Sequence, residues 1–207
     1  MPAIDAVILE AADSAAAESF YADAFGLGDR LRMRTSQAPT TGFRGYLLSL
    51  VVSQPANVDA LISAALDGGA TVLKPAKTGF WGYGGVIQAP DGAIWKIATS
   101  EKKNTGPTSR EIDAFVLLLG VDDIKATKRF YVNQGLTVAK SFGSKYVEFD
   151  TGSSAVKLAL YTRRAAAKDA GISPEGTGSR RIAISTSAGA DFTDPDGLVW
   201  EGATVSA

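Results

Sequence analysis

The side chains of this sequence that can do chemistry are carboxylates, hydroxyls, cations and aromatic rings, because the 207-residue chain contains no histidine and no cysteine. Imidazole is the commonest transition-metal ligand and the usual general base near neutral pH. Without imidazole or thiol, Ser-His-Asp and Cys-His nucleophilic arrangements are excluded, and so are zinc fingers. Attention therefore falls on the remaining charged and aromatic residues and on how they are spaced.

A stretch that occurs twice places two charged residues at corresponding positions. "APDGAIWKIAT" covers residues 89–99 and "DPDGLVWEGAT" covers residues 194–204, so that Lys96 and Glu201 each follow the tryptophan of the frame Pro-Asp-Gly-x-x-Trp. Glycine readily adopts the positive φ that a tight turn needs, and aspartate can bond its own backbone there. The frame predicts the same β-hairpin in both halves of the chain, with its tryptophans alternating into the core.

Aromatic and polar side chains at two other places are candidate site residues. Phe80, Trp81 and Tyr83 lie in the glycine-rich segment "KTGFWGYGG", where they can stack on a ligand; alternatively, Phe80 and Trp81 cover the open edge of a sheet. In the predicted strand "KYVEFD", Tyr146 and Glu148 share one side. If that side faces a binding site, they can act as proton donor and base; otherwise they are surface residues.

Arginines on strands provide a further set of candidates. Arg30, Arg32 and Arg34 alternate along the chain and give one strand a basic face, while Arg44 begins another strand that also carries Tyr46. One such guanidinium can hold a carboxylate or phenolate in a bidentate manner, although rows of this kind are more often solvated. We take Arg32, Arg44 and Tyr46 as candidate ligand-binding residues.

The elements that position these residues also repeat. Residues 4–27 and 112–136 each begin with Ile-Asp-Ala and an apolar run, continue with an acidic residue and a helix that carries Phe-Tyr, and end with Gly-Leu. This order predicts a buried strand, a helix capped by Asp13 or Ser14 in one copy and by Asp122 or Asp123 in the other, and a glycine stop. Each half is therefore predicted to open with the same strand–helix unit.

The remaining patterns complete one full β-α-β-β-β module in each half and one abbreviated module at each end of the chain. The predicted order is short–full in the first half and full–short in the second. The polar segment 101–111 contains Gly and Pro and reads as a linker, so we expect halves at 1–100 and 112–207.

Composition excludes several classes of partner. Lysine and arginine total 21 against 22 acidic residues, for a net charge of -1, and no dense basic block is present. We therefore expect no nucleic-acid partner. No uninterrupted apolar run reaches the ~18 residues of a membrane-spanning helix, and no basic segment precedes the first apolar run as in a signal peptide. The expected location is the cytoplasm, without membrane partners.

In their order and duplication, these motifs resemble the vicinal oxygen chelate superfamily, which includes glyoxalase I, bleomycin-resistance proteins and extradiol dioxygenases. The resemblance covers both halves, apart from the linker and the segment "YTRRAAAKDAGISPEGTGS". It implies an α+β fold in which paired βαβββ modules form cup-shaped open sheets, with two halves in one chain and the site on the concave face.

The resemblance also bears on function. Metal-dependent members hold one divalent ion through a histidine on the first strand, a histidine in a later module and a glutamate on the final strand; here Glu201 occupies the glutamate position, while Ala6 and Ala114 replace the histidine. We therefore expect no metal and no cofactor. The favoured hypothesis is a metal-free protein, a monomeric pseudo-dimer or a homodimer, that binds an apolar or aromatic small molecule. One alternative is a glyoxalase-like lyase or isomerase using Glu201 with Tyr146 or Glu148; another is a scaffold whose cups are filled by side chains.

Overall fold

Two β-sheets draw their strands from both halves of the chain. The computed structural model describes residues 3–187 and 191–202, so residues 203 and 204 of the second repeated stretch lie outside the described residues. The helices of the described part are α1 (Ser14–Ala24), α2 (Pro55–Asp67), α3 (Ile124–Asn133) and α4 (Arg163–Ala170). None of them is long and apolar enough to cross a membrane.

The strands of the first half are β1 (Ile4–Ala11), β2 (Leu31–Thr35), β3 (Thr40–Gly42), β4 (Tyr46–Val51), β5 (Thr71–Gly79), β6 (Gly82–Gln88) and β7 (Ile94–Thr99). Those of the second half are β8 (Ala114–Val121), β9 (Thr137–Phe142), β10 (Tyr146–Asp150), β11 (Lys157–Thr162), β12 (Gly176–Gly178), β13 (Ile182–Thr186), β14 (Phe192–Thr193) and β15 (Val199–Gly202).

The two full modules form one sheet and the two abbreviated modules form the other. The long sheet has eight strands in the order β5-β6-β7-β4-β8-β11-β10-β9, and β4 and β8 pair antiparallel at its centre. The short sheet has five strands in the order β14-β15-β13-β1-β2, and β1 pairs antiparallel with β13. The predicted succession of short, full, full and short modules is therefore confirmed. A two-stranded sheet of β3 and β12 joins the halves a third time.

Local sequence explains where the helices of the repeat begin and end. The Asp13 carboxylate accepts a hydrogen bond from the backbone N–H of Ala16, and Asp123 caps α3 in the same way. Gly26 and Gly135 follow the two helices with φ of +61° and +94°, values that favour glycine. The caps and stops predicted from the repeat are therefore present in both copies.

One apolar cluster joins α1, α2 and α3 to the core faces of both sheets. Trp95 and Trp200 are 0% and 1% exposed, as expected for residues that alternate into the core. The helix residues Phe20, Tyr21 and Tyr131 are buried in the same cluster, and Phe130 packs against it. A second, smaller cluster lies on the opposite face of the long sheet.

The buried side-chain amides of Gln54 and Asn57, at the start of α2, hold the predicted linker in place. The Gln54 side chain accepts hydrogen bonds from the backbone N–H groups of Thr105 and Gly106, at 2.8 and 2.9 Å. Asn57 accepts one from the backbone of Ser109 at 2.8 Å. The polar segment 101–111 thus connects the halves and is hydrogen-bonded to the first of them.

Candidate functional site

The repeated frame places Lys96 and Glu201 at the same point of two equivalent hairpins. Lys96 on β7 lies beside Ser49 of the parallel strand β4, and Glu201 on β15 lies beside Ser185 of the parallel strand β13. Gly92 and Gly197 take φ of +86° and +82° in the two turns, so the hairpin predicted from the sequence is confirmed in both halves. The two positions carry opposite charges beside the same kind of parallel neighbour, a serine.

Glu201 forms an ion pair with Arg34 within the short sheet. Its Oε1 accepts a hydrogen bond from Nη2 of Arg34 at 2.8 Å, and the same nitrogen lies 3.3 Å from Oε1 of Glu10. Arg32, on the same side of β2, donates to the Ser185 hydroxyl at 3.4 Å. The Arg34 guanidinium therefore stands between two carboxylates and neutralises part of their charge.

The metal position implied by the family resemblance does not fit the residues present. Ala6, in register with Ser185, supplies no donor atom, and the Glu201 carboxylate already binds a guanidinium. A divalent ion of the transition series needs several nitrogen, sulfur or carboxylate donors in one place. Among the described residues, no three side chains of the metal-ligating types cluster in this way.

Lys96 instead faces a helix that the sequence did not predict. Its Nζ forms a 2.6 Å ion pair with Oδ2 of Asp169, which belongs to α4. Lys74 on β5 donates from Nζ to the backbone carbonyls of Lys168 and Asp169 at 2.8 and 2.6 Å. These carbonyls lie at the C-terminal end of α4, where cations interact favourably with the helix dipole. Two lysines thus hold this end of α4 on the sheet.

Small residues let α4 lie flat on the long sheet. Ala166, Ala167 and Ala170 are fully buried against the face that carries Leu47, Lys96, Leu118 and Ala159, which we call the α4 face. A Cβ on Gly120 would come within 3.1 Å of the Ala166 Cβ, so this glycine permits the close approach. The Thr162 side chain caps the helix and Gly171 ends it with φ of +79°. The middle of the face is therefore filled.

Beside α4, the same face retains a cavity of about 430 Å³ between the helix and the β5–β6 hairpin. Its floor consists of the small residues Val51, Gly84, Val86 and Ala98. Phe80 and Trp81 form its rim at the tip of the hairpin, where they are 82% and 87% exposed and their ring centroids lie 4.9 Å apart. We call this cavity the Lys96 pocket; its charged lining residues are Lys74, Lys77, Lys96 and Asp169.

The other predicted ligand-binding residues are distributed among several places. Tyr83 lines the Lys96 pocket but donates its hydroxyl to Asp59 of α2 at 2.8 Å, which raises its pKa. Arg32 lies on the short sheet, and Arg44 donates to the backbone carbonyl of Asp91 at 2.6 Å. Tyr46 is in the core, 2% exposed, and burial raises its pKa to about 12. Only the aromatic segment 80–83 belongs to the pocket.

Tyr146 and Glu148 lie on the α4 face at the opposite end of the long sheet. The Tyr146 hydroxyl donates to Oε2 of Glu148 at 3.1 Å, and Nζ of Lys140 lies 3.6 Å from the same oxygen. Burial and the neighbouring carboxylate raise the pKa of Tyr146. Because Glu201 belongs to the short sheet, the structure does not bring it together with this pair.

Each half contains a hydrogen-bonded tyrosine, aspartate and tryptophan that sequence reasoning missed; the tyrosines and tryptophans are equivalent in the repeat, while the aspartates, Asp91 and Asp194, come from different positions of the two hairpins. The Tyr21 hydroxyl donates to Oδ1 of Asp91 at 2.8 Å and accepts from the Trp95 indole at 3.3 Å. In the second half, the trio is Tyr131, Asp194 and Trp200: the tyrosine donates at 2.6 Å and accepts from the indole at 3.3 Å. The repeated helix and the repeated hairpin are thus linked in both copies, which identifies these residues as structural.

A second cavity, of about 460 Å³, lies between α1 and the turn at Pro90 and Asp91. It is similar in size to the Lys96 pocket, but its aromatic residues, Phe20 and Tyr21, are buried in the core cluster. The Lys96 pocket combines exposed rings with a lining of three lysines and one aspartate, and it lies on the part of the α4 face that α4 does not cover. We therefore take it as the candidate site.

The fold matches solved structures over nearly the whole chain. Glyoxalase I from Zea mays is 14% identical, with a TM-score of 0.60 over 97% of this chain and 91% of that one. A protein of Bacillus subtilis subsp. subtilis str. 168 proposed to be a dioxygenase is 13% identical, with a TM-score of 0.64 over 99% and 86% of the two chains. No protein-family model and no curated protein matches the sequence. The chain thus has the vicinal oxygen chelate fold predicted from its motifs.

Proposed function

We propose that this protein binds an apolar or aromatic small molecule in the Lys96 pocket and does so without a metal. The observation that carries the proposal is the pair of exposed rings at the mouth of the pocket. Phe80 and Trp81 leave most of their surface in water next to a floor of small apolar residues. Large exposed rings beside a concave apolar surface are typical of ligand sites, and about 430 Å³ is within the usual size range of such sites.

The alternative of a lyase or isomerase receives less support from the geometry. It requires Glu201 to act with Tyr146 or Glu148, and these residues belong to different sheets. Glu201 also binds Arg34, which disfavours its acting as a free base. The alternative of a scaffold with filled cups agrees with the position of α4, but α4 leaves the Lys96 pocket open beside it.

The test is an NMR titration of ¹⁵N-labelled protein with the neutral aromatic probe 2-naphthamide. We expect the indole N–H signal of Trp81 to shift in a saturable manner, while those of Trp95 and Trp200, which are buried, change little. Trp81→Ala should weaken binding about tenfold, because stacking and ring burial are together worth about 1.4 kcal/mol. Phe142→Ala removes an exposed ring from the hairpin at the other end of the sheet and serves as the matched control. Equal affinity in the wild type and Trp81→Ala would refute the proposal.

A further inference from the structure

We infer that the ligand of the Lys96 pocket carries an acidic group of the carboxylate type, and that this group replaces Asp169 on the Lys96 ammonium. The inference rests on the proposed function, since it assigns the chemical class of the molecule that the pocket takes up. It begins from the charge of the lining. Three lysines and one aspartate line the cavity, which gives its lining a formal surplus of two positive charges, although the Lys74 ammonium also bonds two carbonyls of α4.

The position of Lys96 within the pocket supports this assignment. On the α4 face, Lys96 pairs with Val86 of β6, and Val86 pairs in turn with Lys74 of β5, so one cross-strand row carries two cations with an apolar residue between them. The next row places Ala98, Gly84 and Lys77 side by side. A planar aromatic body resting on Ala98 and Gly84 would therefore have ammonium groups along its border.

Asp169 shows what chemistry the Lys96 ammonium accepts. Its carboxylate lies 2.6 Å from Nζ, and both side chains are about one third exposed, at 30% and 32%. A pair that remains this accessible to water is only weakly stabilised and is open to competition. α4 has independent anchors at its other end, where Arg163 donates to the carbonyls of Phe43 and Pro174 at 2.6 and 2.9 Å. A ligand can thus take over Lys96 without removing α4 from the sheet.

The contrast with the short sheet shows that the charge belongs to this site. At the corresponding position, Glu201 and Glu10 share the cation Arg34, and Arg32 bonds the neighbouring Ser185, so that place has no surplus of positive charge. Among residues 3–187 and 191–202, the exposed rings of Phe80 and Trp81 accompany the cationic member of the two. An aromatic acid satisfies both features of the Lys96 pocket, because its ring contacts Trp81 while its carboxylate meets Lys96.

The experiment compares 2-naphthoate with the isosteric 2-naphthamide by isothermal titration calorimetry. For the wild-type protein, we expect the carboxylate to bind about tenfold more tightly than the amide, and this ratio should fall as NaCl is raised. Asp169→Asn removes the internal competitor, so 2-naphthoate should bind about fivefold more tightly while the affinity for 2-naphthamide stays within about twofold. Lys96→Met should bring the ratio of the two affinities close to one.

Controls separate a local effect from a general loss of charge or structure. Lys157→Met removes the same charge from an exposed position of β11 on the α4 face and should leave the ratio unchanged. If Lys96→Met does not fold, Asp169→Asn still tests the inference because it retains the lysine. Equal binding of acid and amide, with both weakened by Trp81→Ala, would overturn the acidic-group inference and leave the proposed function intact. Binding that does not depend on Trp81 would overturn both.

Discussion

At the scale of the residue, the strongest contrast is between two buried tyrosines. The Tyr131 hydroxyl bonds both Asp194, at 2.6 Å, and the Trp200 indole, at 3.3 Å. The Tyr46 hydroxyl is equally buried and lies near the Arg44 guanidinium, but it makes no hydrogen bond of ordinary geometry with a described residue. Removing a hydroxyl that makes hydrogen bonds leaves its buried partners unsatisfied, which destabilises the folded protein. Removing a hydroxyl that makes no hydrogen bond leaves no such partner. The two tyrosines should therefore differ in their contribution to stability.

We predict that Tyr131→Phe lowers the free energy of unfolding by about 1 to 3 kcal/mol, since it removes the hydrogen-bond partner of Oδ2 of Asp194 and of the Trp200 indole. Tyr46→Phe should change the free energy of unfolding by less than about 0.5 kcal/mol at neutral pH. Urea unfolding of both variants measures the difference. A loss for Tyr46→Phe as large as that for Tyr131→Phe would contradict the assignment.

The same tyrosines predict how stability depends on alkaline pH. Burial raises the pKa of Tyr46 to about 12, and the pKa values of Tyr21 and Tyr131 are also raised by burial. Below pH 10, tyrosine is protonated in both the folded and the unfolded chain, and the full stability is present. Between pH 10 and 12, the unfolded chain loses these protons while the folded chain retains them, so the free energy of unfolding falls as pH rises.

For Tyr46 alone, a shift of this size corresponds to about 3 kcal/mol between pH 10 and 12. Urea midpoints measured from pH 9 to 12 should therefore decrease steeply in the wild type and less steeply in Tyr46→Phe. Parallel curves for the two proteins would show that Tyr46 does not keep its proton on folding.

At the scale of the element, α4 is the feature that sets the shape of the candidate site. Its buried surface consists of alanines, and Gly120 on β8 allows its backbone to approach the sheet. This helix occupies the middle of a face that would otherwise be an open floor across both halves. The size of the Lys96 pocket therefore depends on where α4 lies.

We predict that Gly120→Ala destabilises the protein by about 1 to 3 kcal/mol, because the new Cβ meets Ala166 and the backbone of Arg163 at 3.1 Å. Gly106→Ala, where the added Cβ has no neighbour within 4 Å, is the matched control and should be nearly neutral. Urea unfolding gives the stability of each variant, and amide hydrogen exchange should show faster exchange in α4 for Gly120→Ala. Unchanged exchange there would mean that the contact does not hold the helix.

The helix also marks where sequence reasoning reached its limit. The repeat predicted the modules, caps and hairpins because each depends on residues near one another in the chain. α4 lies in a segment without a counterpart in the repeat, and its apolar surface is only alanine. The sequence shows that the repeat carries Lys96 in one copy and Glu201 in the other. It does not show that Asp169, which is 73 positions from Lys96, is the ion-pair partner of that lysine. Trp81 could be predicted as exposed, but the floor beneath it depends on long-range pairing of β5, β6 and β7.

At the scale of the whole molecule, the halves are joined through both sheets. β4 pairs with β8 in the long sheet, and β1 pairs with β13 in the short sheet. Separating the halves would leave two pairs of strands with exposed edges, together with the apolar residues of their core faces. Segment 101–111 therefore separates the two repeats along the sequence, but the strands of both repeats belong to the same two sheets.

We predict that fragments 1–100 and 112–207 do not fold separately as monomers and that they associate when mixed. Circular dichroism, together with light scattering after size-exclusion chromatography, should show a cooperative unfolding transition only for the mixture, at the mass of one copy of each fragment. A monomeric fragment that unfolds cooperatively on its own would show instead that each half is an independent domain.

The covalent link between the halves has a consequence for how the two equivalent hairpins can diverge. In an assembly of two identical subunits, every mutation appears at both symmetry-related positions, so a lysine and a glutamate cannot stand at the same site. Here the two equivalent positions are separate residues of one chain, so they can differ: Lys96 faces Asp169 while Glu201 faces Arg34. One copy is thus free to acquire a new specificity while its twin keeps the opposite polarity, an inherited asymmetry that an assembly of identical subunits cannot maintain.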